Sequence, residues 1–186
     1  GDCDGDDGGC VSRVGFFTFG VLSDPSGPNV QGFFDRVQSV FETAEGAGGF
    51  IGRAVRGEGD SSFGEYVVPK FYTGSLEPEQ NRVIQTLSIW EEVEAVFIFA
   101  YQGVHSEALR RRSEWVPDAD YPNHTGWWVD DDHDPTWEEA CERHQYLHDH
   151  GSTDYAFSLR SPFDAQGDPM TPDPAKMNQY QKTSKR

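Results

Sequence analysis

The apolar positions of this chain change period several times, and each change marks an element. In "RVGFFTFGVL" nearly every position is apolar, so both faces of a strand are apolar, as in a strand buried on two sides. "SDPSGPN" reads as a loop. In "NVQGFFDRVQSVFETAEGAGG" the positions Val30, Phe33, Phe34, Val37, Val40 and Phe41 recur at helical spacing, and a Gly-rich end stops the helix. "GFIGRAVR" is a second strand. Gly57 to Gln80 has no sustained period and reads as an irregular connection. "RVIQTLSIW" is a third strand. Ser88 stands three residues before Glu91, the capping-box spacing, which predicts a helix over "EEVEAVFIFAYQG". Gly103 interrupts it, and "VHSEALRRRSEW" is a further helical piece. Pro117 to Gly126 is loop and "GWWV" a short strand. Asp134 as N-cap and Pro135 at the first helical position open another helix, with Glu138 and Glu139 at its positive end. "TDYAFSLRSPF" reads as the last strand. From about residue 165 the chain is Pro-rich, polar and basic, which predicts a tail.

The leading elements run β, α, β, β, α, β, the order of a split βαβ, ferredoxin-like unit, here with an extra C-terminal helix and strand. The fold class is therefore α+β. The expected organisation is an acidic leader over 1–12, one domain over 13–164 and a tail over 165–186. Such a sheet carries two helices on one face. Its strands are apolar on both, so the second face needs a cover. A second copy of the sheet is the simplest cover, which predicts a homodimer closed as an α/β barrel.

Composition narrows the partners. The chain has 186 residues and a formal net charge of −17, with 32 acidic against 15 basic side chains. Such a surface repels phosphate backbones and anionic membranes, so nucleic acid and membrane are excluded as partners. The N-terminus lacks the order of a signal peptide, and a cytoplasmic location is the expectation. Aromatics are abundant, unlike in disordered acidic chains. Cys3, Cys10 and Cys141 form no disulfide framework; Cys3 and Cys10 are either a bridge or two reduced thiols. In the leader, Asp2, Asp4 and Asp6 alternate like the first ligands of a calcium loop. Asp7 and Arg13 then occupy the positions that need Gly and Glu, and a solvated acidic leader is the simpler reading.

Several fragments together resemble a known family: "TLSIWEEVEAVFIFAYQGVHSEALRRRSEW", "PTWEEACERHQYLHDHGSTDYAFSLRSPF" and the opening "VGFFTFGVL". They are similar to an uncharacterised family of the dimeric α/β-barrel superfamily, which includes antibiotic-biosynthesis monooxygenases. The likeness covers roughly Val14 to Phe163, with Trp90, His105, Arg112 and Trp115 in order. A more local likeness, from Ser88 to Trp115, is to spheroidene monooxygenases, which are haem proteins. It implies a non-covalent haem as a candidate cofactor, since no Cys-x-x-Cys-His attachment motif is present. The alternative is no cofactor.

Four groups of residues are candidates for chemistry. His105 follows a Gly-marked helix break and lies on the face of Ala108, Leu109 and Arg112. It is a candidate base or haem ligand, or a structural histidine. Arg112 is the arginine of "RRR" nearest the apolar side, able to hold an oxyanion by its fork or to pair with a surface acid. Phe17, Phe19, Trp90, Phe97, Tyr101, Trp115, Trp127 and Trp128 either surround an apolar ligand or fill a dense core. Trp127 and Trp128 point to opposite faces of their strand. His144 and His148, four apart on a helix, have the spacing of zinc ligands, with Asp132, His133 or His150 as a third. Yet Trp137, Ala140, Cys141, His144 and Leu147 make the helix's apolar stripe, which assigns His144 to packing.

These features point to a small-molecule enzyme acting on an apolar metabolite in an aromatic-lined barrel, monooxygenase-, cyclase- or isomerase-like by superfamily analogy. The alternatives are a haem- or ligand-binding module without turnover, and a structural or interaction protein. No phosphate-binding Gly-rich loop and no dinucleotide fingerprint is present.

Overall fold

The computed structural model describes residues 11–23, 40–55, 62–77, 80–101 and 116–184. The leader, the start of the first helix with Val30, Phe33, Phe34 and Val37, and the segment carrying Gly103, His105, Arg112 and Trp115 lie outside the described residues. The elements are β1 (Val11–Val21), helix α1 (40–46), β2 (Phe50–Arg53), β3 (Val83–Trp90), α2 (Val93–Tyr101), β4 (His124–Asp130), α3 (Trp137–His150) and α4 (Pro174–Thr183).

The fold is α+β. Four strands form one sheet in the order β2-β3-β1-β4, every neighbour antiparallel, an arrangement compatible with a ferredoxin-like unit. The register sorts the side chains. Val14, Phe16 and Trp90 emerge on one face, with Val14 opposite Trp90 and Phe16 opposite Ser88. Val93, Val96 and Phe99 of α2, with Phe157 and Leu159, cover them. Phe17, Phe19, Leu87, Trp127 and Val129 form the other face. Trp137, Ala140 and Cys141 of α3 cover that one, together with Phe63, Val67 and Phe71 of the irregular connection.

Two apolar sheet faces were expected, and both are present. The cover of the second is the chain's own α3 and 63–72 segment. The reason for invoking a second sheet therefore falls away, and with it the case for a barrel closed by a partner. An unbroken apolar run in a strand specifies that both faces are buried but says nothing about which chain buries them.

Gly15 shows how tightly the second face is filled. A Cβ there would lie 2.6 Å from the Trp127 ring, so the indole crosses β1 where the side chain is missing.

Three local expectations are corrected. Ser88 lies within β3 and caps nothing. Its hydroxyl accepts the Trp90 indole N–H at 2.8 Å and lies 3.3 Å from the Phe16 carbonyl, to which it donates. Asp134 is not the cap of α3. Thr136 is, accepting the Glu139 N–H at 3.2 Å, while Asp134 turns to Arg13 at 3.5 Å. The stretch expected as a last strand makes only a bridge at Phe157 to Gly126 and another at Phe163 to Pro169. Ser152 Oγ accepts the Ser158 N–H at 2.9 Å, and Pro162 has no N–H to give, so the backbone turns away from the ladder.

The expected tail is also folded over the described residues to 184. Asp173 caps α4, and its N–H donates to the buried Glu94 carboxylate at 3.0 Å. Lys176 pairs with Glu92 at 2.8 Å. The Tyr180 hydroxyl reaches Glu91 and Glu92 at 3.2 and 3.1 Å. Gly49, at φ +80°, leaves the space that the Tyr180 ring occupies. Polar residues hide this docking from a periodicity reading, because α4 buries no residue fully.

Candidate functional site

The aromatic residues expected to line a ligand space are distributed over two separate clusters. Phe17, Phe19 and Trp127 are buried on the α3 face. Trp90 and Phe97 belong to the α2 face, where Trp90 stacks on Phe99 at 4.9 Å and meets Phe50 edge-on at 5.3 Å. The sheet stands between them, so they do not surround one ligand. Tyr101 is exposed at the end of α2. His105, Arg112 and Trp115 lie outside the described residues. Ser88 and Trp90, two residues of the haem-like pattern, are committed to each other in the core.

His144 is fully buried on the apolar stripe of α3, as the stripe predicted. Its Nδ1 lies 2.6 Å from Thr125 Oγ1, and the rings of Phe17, Phe19 and Phe71 surround it. Burial pushes its pKa down to about 3, with smaller contributions from His124 and His148. It is a neutral packing residue. His148 is exposed, with its ring 5.1 Å from Phe71. No group of three or more His, Cys, Asp or Glu among the described residues is arranged to hold a metal ion. Cys141 is buried too: its thiol donates to the Val67 carbonyl at 3.4 Å, and burial pushes its pKa up to about 12.

The polar groups gather elsewhere, where β4 ends and α3 begins. Arg13 organises the connection. Its guanidinium donates to the backbone carbonyls of Asp130 and His133 at 2.9 and 2.6 Å. His133 N–H closes a turn onto Asp130 O at 3.2 Å. The Thr136 cap then fixes the first turn of α3 and brings Glu139 beneath His133. Glu139 Oε2 lies 2.6 Å from His133 Nε2. Its Oε1 accepts the buried Trp127 indole N–H at 3.0 Å and lies 3.5 Å from Arg143. Arg143 in turn donates to the Tyr155 carbonyl at 2.6 Å, and its Cζ lies over the Tyr155 ring, 3.9 Å from the centroid.

Beside these groups is an open cleft of about 410 Å³ lined by Trp128, Val129, Asp130, His133, Glu139 and Arg143. Trp128 is held by its indole N–H on the Phe163 carbonyl at 2.8 Å. Of the described residues singled out for ligand binding, Trp128 alone lines this cleft. Arg13, Glu139 and Arg143 were not recognised as its builders. The Thr136 to Glu139 spacing and the Glu139 to Arg143 spacing of one helical turn were the available signals. The link from His133 to Glu139 crosses the helix start, where no period reports it.

Because a carboxylate faces Nε2, that nitrogen carries the ring proton, and Nδ1 of neutral His133 is an acceptor with no partner among the described residues. The arrangement is that of an imidazole oriented by a carboxylate at the edge of a cleft, which can take up and return a proton.

Fold and site together define a small α+β protein with a histidine–carboxylate pair at one end of its sheet. The chain belongs to the family described as a domain of unknown function, DUF3291, which matches residues 13–172. No curated protein and no solved structure matches it. No helix among the described residues is long and apolar enough to cross a membrane.

Proposed function

We propose that the chain is a small-molecule enzyme of isomerase- or cyclase-like type, with proton transfer by His133 at the cleft beside Trp128. The observation that carries this reading is the 2.6 Å contact of His133 Nε2 with Glu139 Oε2 beside that cleft. In the proposed step, Nδ1 takes a proton from the bound molecule while Nε2–H stays on Glu139. The imidazolium so formed is stabilised by the adjacent carboxylate. Return of the proton to another atom of the same molecule gives an isomer, or closes a ring, with no added oxidant or reductant. Support for a polar cleft, over the apolar barrel interior first expected, comes from the packing: Phe17, Phe19 and Trp127 are buried in one core and Trp90 in another, on opposite faces of the sheet.

The test uses the purified chain with the small molecules that co-purify, in heavy water, read by mass spectrometry. Deuterium should enter one compound, and His133→Ala should slow its entry about a hundredfold, the usual share of a positioned base. A compound exchanging equally with the variant would remove His133 from the reaction.

The dense packing of both sheet faces favours a second reading, an interaction protein without turnover. A denatured extract with no small molecule, and no exchange in any compound offered, would favour it.

A further inference from the structure

Two acceptors at the cleft are uncommitted, while Arg143 Nε and Arg13 Nε, the donor atoms left without a partner, are buried. Arg143 is held by the Tyr155 carbonyl, the Tyr155 ring and Glu139. Arg13, behind the turn, is held by two carbonyls and Asp134. The indole N–H groups of Trp127 and Trp128 are bonded to Glu139 and Phe163. By contrast, the Asp130 carboxylate has no hydrogen-bond or ion-pair partner among the described residues, and Nδ1 of His133 has none either. Asp130 is half-buried, so its charge is only partly screened. A ligand that donates can satisfy both of these acceptors. The cleft also has Trp128 in its lining, and an indole face attracts a cation. The whole chain carries −17 net charge, which draws cations toward it and repels anions.

We infer that the cleft takes a small organic cation, an amine or ammonium compound, held between the Asp130 carboxylate and the Trp128 ring. This rests on the cleft being the working site proposed above. It adds the ligand's charge and the residue that selects it. Asp130 is a binding residue here and His133 the proton carrier.

The experiment titrates the full chain with phenethylammonium and, separately, with benzoate. It follows the Trp128 indole N–H by nitrogen–proton correlation spectra, assigned with Trp128→Phe. Phenethylammonium should give a saturable shift in the millimolar range or tighter, and benzoate none. Asp130→Asn should weaken the cation about tenfold, and Asp130→Glu should restore most of it. Equal or tighter binding of benzoate, no saturable response to the cation, or unchanged binding by Asp130→Asn would each overturn the inference. Cation binding that survives in a chain showing no deuterium exchange would leave this inference standing and remove the proposed reaction. Exchange that depends on His133 with benzoate as the better ligand would do the reverse.

Discussion

His133 and Glu139 stand six residues apart in sequence, and their Nε2 and Oε2 atoms lie 2.6 Å apart across the start of α3. The same carboxylate accepts the N–H of Trp127, which is wholly buried. Glu139 thus joins the cleft to the core. Glu139→Ala should cost about 1–3 kcal/mol of stability, because it leaves a buried indole N–H without a partner. Glu139→Gln should cost less, since its amide oxygen still accepts. Urea unfolding of the two variants checks this. Equal, near-zero losses would show that Trp127 finds another acceptor.

A second prediction concerns acid. The pKa of His144 is held near 3 in the folded chain by burial and stands near 6.5 for a free imidazole. Between these values the unfolded chain binds the extra proton, so folding loses stability as pH falls below about 6.5. Above that range His144 contributes no pH dependence. From pH 6.5 to 5 the loss should be roughly 1–2 kcal/mol, a window above most carboxylate titration. It should be absent from His144→Gln. Parallel unfolding curves at the two pH values for both chains decide it, and equal slopes would contradict the assignment.

The C-terminal helix gives a third. Deleting residues 174–186 removes the Lys176 pair with Glu92 and the Tyr180 contacts with Glu91, Glu92 and Gly49. The loss should be about 1–3 kcal/mol, above the roughly half a kcal/mol expected for an undocked tail. Thermal unfolding checks it; an unchanged midpoint would restore the reading of these residues as a tail. Added salt should weaken the Lys176–Glu92 share, since that pair is exposed.

The sequence was most informative where burial imposes a period. The two-faced β1, the third strand and the α3 stripe with His144 inside it follow from apolar spacing alone. It was least informative where polar groups choose among partners. Ser88 matched a cap spacing, yet a nearby indole N–H took its oxygen. Asp134 and Thr136 were both chemically suitable caps, and Arg13, distant in sequence, settled the choice by pairing with Asp134. The cover of the second sheet face came from an irregular segment and α3, and no local pattern announces a contact between distant segments. The candidate site was missed for the same reason. Its residues were visible as acids, a histidine and an arginine, but their meeting depends on where α3 is set against β4.

The most direct measurement is the long-range proton–nitrogen spectrum of the histidine rings, taken at a pH where free imidazole is neutral. The account predicts that His133 is held in the Nε2–H form with Nδ1 bare. It also predicts that Glu139→Gln shifts its signals and that phenethylammonium moves Nδ1. A His133 ring averaging freely between tautomers, with the same signals in Glu139→Gln and no response to the cation, would contradict it.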